Sequence, residues 1–352
     1  MKPVSGFNFA DNVARDISLL NLAYKPFVNV SSDDETFILP LIPHEIKLTR
    51  YQLAPELTGD KDHPMRKRIE MIKKSELESF GVIVNRFYEL EPNYVEFYKT
   101  ELRRKVWYVG PVSLCNRSVE EKAQRGKEAS IDEHDCLNWL NSKRPASMVY
   151  ICFGSMSPSF AAQLHEIAIA LENSEKNFIW VVRNGDNSGK NEQEWLPPGF
   201  EQRTEGRGLI IRGWALQVLI LEHEAIGAFV THCGWNSTLE GISAGVPMVT
   251  WPIFAEQFCN EKLVTDVLKI GVSVGVKKWS RMPFIKDLIS REVIETALRE
   301  ITEREVVEEL RQRAKQLKEK AWNAMADGGP SYSDLSALID ELRSYHTYKR
   351  VI

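Results

Sequence analysis

The sequence predicts an α/β protein built on a parallel, Rossmann-like sheet, and three observations predict it. From Ser147 to Gly275, β-rich apolar runs alternate with stretches of helical period. Several runs end in Gly or Pro, and the helical stretches open on Ser, Asn or Thr, as helix caps require. Finally, 352 residues with a 43% hydrophobic and 27% charged share have the composition of an ordinary globular chain. A chain of this size buries roughly 70–75% of its unfolded surface, which excludes fibrous and disordered classes.

The expected strands are Met148–Phe153, Phe178–Val182, Leu209–Ile211, Ala228–Thr231, Pro247–Trp251 and Val272–Val276. Between them, Phe160–Leu171, Gln217–Glu222, Ser237–Ala244 and Glu256–Leu268 have helical period. Such alternation implies right-handed crossovers and helices on both sheet faces. Upstream, Gly81–Glu89 and Val106–Val112 read as two buried strands joined by a helix around Pro92–Leu102. Two strands do not make an independent sheet domain. Phe37–Leu57, with Pro40, Pro43 and Pro55 (and Pro26 ahead of it), reads as extended loop. Residues 114–135, rich in charge (Glu120, Glu121, Lys122, Arg125, Lys127), read as an exposed linker. After Ser290 come two helices. Val306, Leu310, Ala314, Leu317 and Ala321 form one apolar stripe, and Gly328-Gly329-Pro330 stops that helix. Tyr332–Leu342 is a final amphipathic helix that must dock elsewhere.

Charge excludes some partners. Forty-five basic against 49 acidic residues leave −4, with no basic excess for nucleic acid. The run Arg66-Lys67-Arg68 and Lys73-Lys74 alternates with Ile69, Met71 and Ile72 as a solvated helix face does. No stretch approaches the ~18 apolar residues of a membrane span, and Asp11, Arg15, Asp16 and Lys25 interrupt any signal-peptide core. Cys115, Cys136, Cys152, Cys233 and Cys259 are odd in number and widely spaced, which argues against disulfide or zinc frameworks. The expectation is a cytoplasmic protein with no metal.

Two strand-to-helix turns carry the chemistry. Phe153-Gly154-Ser155-Met156-Ser157 precedes a helix after Pro158, and Thr231-His232-Cys233-Gly234-Trp235-Asn236-Ser237-Thr238 feeds another. Each directs backbone N–H groups, a positive helix end and small polar side chains to the carboxyl edge of the sheet, a site suited to phosphate. Plain capping is the alternative for each. Neither turn is Gly-x-Gly-x-x-Gly or a Walker loop, which demotes an NAD-type oxidoreductase. Trp214, directly after a strand, suits base stacking or the core. Glu240 suits ribose hydroxyls, and Glu256 and Gln257 suit sugar hydroxyls; both carboxylates could equally be solvated.

The 44 residues from Trp214 to Gln257, WALQVLILEHEAIGAFVTHCGWNSTLEGISAGVPMVTWPIFAEQ, closely resemble the signature box of plant secondary-product UDP-glycosyltransferases, the inverting enzymes of glycosyltransferase family 1. CLNWLNSKRPASMVYICFGSMS and GGPSYSDLSALIDELR resemble the same family's C-terminal half. KPFVNVSSDDETFILPLIPHEIKLTR resembles the middle of members that act on flavonoids, terpenoids and other lipophilic acceptors. The resemblance implies a GT-B fold of two Rossmann-like domains, the N-terminal one incomplete. Residues 1–115 would be the partial acceptor-side domain, 116–135 the interdomain linker and 136–330 the UDP-sugar-binding domain. Residues 331–352 would be a helix packing back on the N-terminal part.

By position, the resemblance implies that Trp214 stacks on uracil, with Ala215 and Gln217 beside it. Ser155, His232, Asn236 and Ser237 would hold the diphosphate and Glu240 the ribose. Trp235, Glu256 and Gln257 would contact the sugar. Cys233, Gly234, Thr238 and Leu239 complete that turn and helix, and Phe254 and Ala255 precede the sugar pair. Gln257 at the end of the box and Trp235 within it match glucose-using members. The implied reaction is glucosyl transfer from UDP-glucose to a small lipophilic hydroxylated acceptor, by a monomer that needs no cofactor beyond that co-substrate. His232, beside phosphate, would favour protonation; the other histidines (His44, His63, His134, His165, His223, His346) read as solvated or satisfied.

The chain departs from the box at Leu216, where the family has Pro, a change expected to cost about 0.4–1 kcal/mol in chain stiffness. No His-x-x-Pro supplies the family's general base, so no catalytic residue is assigned, and the chain resembles a member shorn of most of its N-terminal domain. The alternative expectation is therefore a catalytically silent UDP-sugar-binding fragment or pseudoenzyme.

Overall fold

The computed structural model describes residues 24–58, 64–96, 105–156, 161–183, 195–280, 287–303 and 306–351. Residues 1–23, His63, Leu102, Ser157, Pro158 and Phe160 lie outside them. The chain divides into two compact units, one running to Cys115 and resuming at Leu317, the other Asn116–Gln316.

In the first unit β1 (Thr36–Ile38) and β2 (Lys47–Thr49) pair antiparallel, with Phe37 opposite Leu48. The extended loop expected over Phe37–Leu57 is thus corrected to a hairpin. Pro40 and Pro43 fall in its connection, where no ladder N–H is needed, and Pro55 opens a short helix. Three-residue strands are too short for alternation to show in the sequence, yet their central residues, Phe37 and Leu48, are buried. Helix α1 (Pro64–Glu78) carries the basic run, with Met71 and Ile72 exposed on it.

β3 (Val82–Val84) and β4 (Val106–Tyr108) are parallel, Ile83 opposite Trp107. The pleat puts Val82 and Val84 with Val95 and Tyr108, and Ile83 and Trp107 with Leu338 and Leu342 of the C-terminal helix Pro330–Val351. That helix is also fixed by polar bonds. Tyr108 N–H donates to Asp334 Oδ2 (2.8 Å), Ser331 Oγ donates to the Gly110 carbonyl (2.7 Å), and Lys105 pairs with Glu341.

The second unit begins with α2 (Val119–Ala123), whose Ser118 and Glu121 form a capping box, and α3 (Glu133–Asn141), capped by Asp132. The charged stretch 116–135 is folded onto this unit, for instance by the Lys122–Glu222 ion pair (2.7 Å). Six strands follow: β5 (Met148–Cys152), β6 (Asn177–Val182), β7 (Gly208–Arg212), β8 (Ile226–Thr231), β9 (Met248–Thr250) and β10 (Gly271–Ser273). All pair parallel, in the order β10-β9-β8-β5-β6-β7. Each expected strand is present with shifted ends.

Every residue of central β5 and β8 is buried, as a parallel sheet covered on both faces requires. Val149 and Ile151 of β5 face Leu164 and Ile167 of α4 (Ala161–Asn173) in the main core cluster. On the opposite face Tyr150 stacks on Phe229 (5.2 Å). Three site-bearing helices follow: α5 (Gln217–Glu222), α6 (Trp235–Ala244) and α7 (Gln257–Lys262). The helix expected over Glu256–Leu268 is α7 continued by a π turn, Leu263–Val267. Ile294, Ala297, Leu298 and Ile301 of α8 (Arg291–Glu303) extend the core cluster, and Leu310, Ala314, Leu317 and Ala321 of the long helix Val306–Met325 are its buried stripe. Among the described residues no helix is long and apolar enough to cross a membrane.

Leu216 caps α5 with φ −75°, inside proline's range, and its side chain is buried. Restoring proline stiffens the unfolded chain by about 0.4–1 kcal/mol but removes buried apolar surface, about 0.8 kcal/mol per methylene. Leu216→Pro is therefore expected to change unfolding free energy by less than about 1 kcal/mol. Urea denaturation checks this; a loss above about 2 kcal/mol would show that the Leu216 contacts dominate.

Candidate functional site

Because β5 and β8 are neighbours with Cys152 opposite Thr231, their following turns emerge side by side. They meet at His232. A Cβ on Gly154 would stand 2.5 Å from His232 Cε1, and one on Gly234 2.5 Å from Nε2. The imidazole is thus held between two glycines, one from each turn, and Gly154 has φ +69°. Ser155 lies exposed just beyond. His232 is buried, and its Nδ1 has no hydrogen-bond partner among the described residues. Burial pushes its pKa down to about 4, so the ring is neutral at pH 7.

Cys233 is left-handed (φ +62°), a conformation that a residue with a Cβ adopts only when held there. The Cys233 N–H donates to Thr231 Oγ1 (3.3 Å), and the Asn260 amide donates to the Cys233 carbonyl (2.8 Å). Helix α6 then starts after Gly234, which supplies no side-chain cap, so its first-turn N–H groups are not satisfied by a capping side chain. Trp235 and Ser237 are buried at this end, Asn236 is exposed, and the buried Thr238 hydroxyl has no partner among the described residues. Cys233 and Leu239 are fully buried, so they offer the site backbone rather than side chain.

Trp214 follows β7 after Gly213, which has φ +127°. Its N–H donates to Ser130 Oγ (3.0 Å), its carbonyl accepts from Ser130 N–H (2.8 Å), and its indole packs on Gly126. Ala215 is buried and accepts from Gln217 N–H (2.9 Å). The Gln217 side chain turns inward: its amide donates to Glu240 Oε2 (2.7 Å) and Ser237 Oγ (3.1 Å), and its carbonyl accepts from Tyr150 OH (3.3 Å). Glu240 also pairs with Arg125 (2.8 Å). Burial raises the Glu240 pKa, while Arg125 and Gln217 hold it down.

At the second edge, Gln257 Oε1 accepts from the N–H groups of Ile253 (2.8 Å) and Phe254 (3.0 Å), closing the turn that leads into α7. Ala255 in this turn is left-handed (φ +56°), and its carbonyl accepts from Trp279 Nε1 (3.2 Å). Glu256 is mostly buried, which raises its pKa, and the Trp235 backbone N–H opposes that shift. Glu256 and the start of α6 therefore adjoin. One turn on, Glu261 accepts from Thr250 Oγ1 (2.8 Å) and Ser273 Oγ (3.0 Å), and burial pushes it up to about 7.

The sequence-expected residues thus lie along the carboxyl edge of one sheet, from Trp214 beyond β7 to Glu256 and Gln257 beyond β9. Sequence reasoning missed Arg125, Ser130, Asn260 and Glu261. Asn260 and Glu261 had a signal, being helical neighbours of Gln257; Arg125 had none, because its partner is 115 positions away. Among the described residues no group of three His, Cys, Asp or Glu side chains is arranged to hold a metal.

A six-stranded parallel sheet with its polar turns gathered at one edge defines a Rossmann-like nucleotide-binding class. Residues 66–314 match the family described as UDP-glucoronosyl and UDP-glucosyl transferase, and the chain belongs to it. Scopoletin glucosyltransferase of Nicotiana tabacum is 54% identical over 322 residues, 91% of this chain and 66% of that protein. Anthocyanin 3'-O-beta-glucosyltransferase of Gentiana triflora is 55% identical over 91% of this chain and 67% of that protein. The crystal structure of Glycyrrhiza uralensis UGT73P12 with glycyrrhetinic acid 3-O-monoglucuronide superposes with TM-score 0.90 at 42% identity, covering 97% of this chain and 69% of that one. Medicago truncatula UGT71G1 complexed with UDP-glucose gives TM-score 0.76 at 29% identity, over 94% and 69%. The chain therefore has the GT-B type of fold and spans about two thirds of the length of these relatives.

His232 and Glu261 make opposing contributions to stability. His232 titrates lower folded (about 4) than unfolded (6.5), so its contribution is present above pH 6.5 and is lost as pH falls toward 4. Glu261 titrates higher folded (about 7) than unfolded (4.5), so its contribution is present below pH 4.5 and is lost as pH rises toward 7. Glu261→Gln removes the second effect alone. Relative to the parent, the variant is expected to gain up to about 3 kcal/mol between pH 4.5 and 7. Urea unfolding at four pH values checks it, and a difference that stays constant with pH would refute it.

Proposed function

We propose that this chain binds UDP-glucose across the carboxyl edge of its six-stranded sheet. It serves as the donor-holding part of a UDP-glucosyltransferase that passes glucose, with inversion, to a hydroxyl of a small lipophilic plant metabolite. The observation that carries this reading is the meeting of two strand-to-helix turns at His232, which brings the amide-rich end of α6, Ser155, Asn236 and Ser237 to one place. That place suits a diphosphate. Negative charge there counters the burial that depresses His232 and favours its protonation, adding a charge-assisted hydrogen bond.

From the diphosphate the other groups fall in order. Glu240 accepts from the ribose, and Trp214 stacks on uracil with Ala215 alongside. On the other side Trp235, Glu256 and Gln257 surround the sugar, with Phe254 and Ala255 shaping the turn before them. Gln257 uses its carbonyl on backbone, which leaves its amide donors for glucose hydroxyls. The reading needs UDP-glucose as co-substrate and no other cofactor. The printed names of the relatives, glucosyltransferases of scopoletin and anthocyanin, support glucose as the sugar, and the acceptor we propose is of flavonoid or terpenoid type. Inversion follows when the acceptor oxygen attacks C1 opposite the departing UDP. The base for that step is not His232, which the two glycines confine to the phosphate end.

Calorimetric titration with UDP, UDP-glucose and NAD tests the reading. UDP and UDP-glucose are expected to bind and NAD not to. Trp214→Ala should weaken UDP about five- to 150-fold, the equivalent of ~1–3 kcal/mol of base stacking. Binding of NAD alone would overturn the donor assignment, and unchanged UDP affinity in Trp214→Ala would remove the stacking role.

A further inference from the structure

We propose that Arg125, which lies outside the 44-residue box, is the positioning residue for the ribose end of this site, holding Glu240 so that each of its carboxylate oxygens keeps one acceptor position for a vicinal diol. The proposal rests on the donor-site reading above and adds to it a segment that the box does not contain. Glu240 is nine-tenths buried, and a buried carboxylate persists in charged form only if it is paired. The Arg125 guanidinium takes Oε1 (2.8 Å) and the Gln217 amide takes Oε2 (2.7 Å). A carboxylate has about four lone-pair positions. One partner on each oxygen leaves one position on each, spaced as two adjacent hydroxyls need. The other groups that act on Glu240 from β5 are the Tyr150 hydroxyl and the Cys152 thiol, both of which burial pushes toward the neutral form. Among the described residues, Arg125 is the cation acting on it.

The segment carrying Arg125 is built into the site rather than resting near it. Lys122 is paired with Glu222 of α5, and Ser130 exchanges two hydrogen bonds with Trp214. Between these anchors Gly126 (φ +94°) lies so close to the indole that a Cβ there would stand 2.2 Å from Trp214 Cζ2. One short segment thus backs the base platform and orients the ribose acceptor. Arg125 Nη1 is buried with no partner among the described residues, which leaves it one more donor for the nucleoside.

The test compares UDP with 2′-deoxy-UDP on the full chain. The parent is expected to prefer UDP by about tenfold, one hydrogen bond to a charged acceptor. Arg125→Met should weaken UDP by about tenfold and shrink that preference below about threefold, as Glu240→Gln does. The double variant should be no worse than Glu240→Gln alone. Arg125→Lys, which keeps the charge, should restore most of the preference, and Arg125→Gln gives a second neutral variant. Equal weakening of both nucleotides with the preference intact would mean a merely structural residue and overturn the proposal. Tighter UDP binding in Arg125→Met would mean that Arg125 obstructs the ribose, and overturn it too. A parent chain that binds UDP with no preference over the deoxy analogue would overturn it with the donor reading standing; a parent that binds neither would overturn both.

Discussion

The parallel pairing of β5 with β8 is the constraint on which the site depends. Parallel neighbours leave the sheet at the same edge, and each must turn there into a crossover. With Cys152 level with Thr231, the two turns are forced together, and only glycines at 154 and 234 allow the gap between them to be as small as an imidazole ring. The helix beginning at Trp235 then presents its positive end where both turns converge. Move the register by one residue and every side chain changes face, so the buried core of β5 and β8 also fixes which atoms meet outside it.

Along that edge Glu240, Glu261 and His232 are all buried, and each is accommodated differently. Glu240 has a cation and an amide. Glu261 has two hydroxyls and no cation at hydrogen-bond distance among the described residues, and burial moves it to about 7. His232 has glycine walls and is pushed to about 4. The difference in partners shapes how each titrates: of the three, Glu240 is the one with a cation at hydrogen-bond distance, while Lys262 acts on Glu261 from farther away. Asn260 has a mechanical part, holding Cys233 in a left-handed conformation and so setting the direction in which α6 begins.

Much of this was legible in the sequence, for identifiable reasons. The central strands β5 and β8 are continuous apolar runs because both faces are covered, and the turns after them are marked by glycine next to small polar residues. The box from Trp214 to Gln257 carries its resemblance in contiguous residues. The β1–β2 hairpin was not legible, since three-residue strands lack a period and prolines nearby argue for loop. Residues 116–135 looked like solvated linker because charge content says nothing about partners. Lys122, Arg125 and Ser130 each find theirs 84 to 115 positions downstream.

By itself the sequence determined the α/β class, the order of strands and helices, the contiguous box from Trp214 to Gln257 and the chain's membership of a family. Those properties are local: they depend on periodicity, caps and contiguous residue types, all written within a few dozen positions. Only the tertiary structure decided that Gly154 and Gly234 close on one histidine, that Gln217 turns toward Glu240, and that Arg125 completes the pair. Those contacts join residues far apart in the chain, and they are set by sheet register and burial, where a charged or polar group takes whichever partner the fold brings within reach.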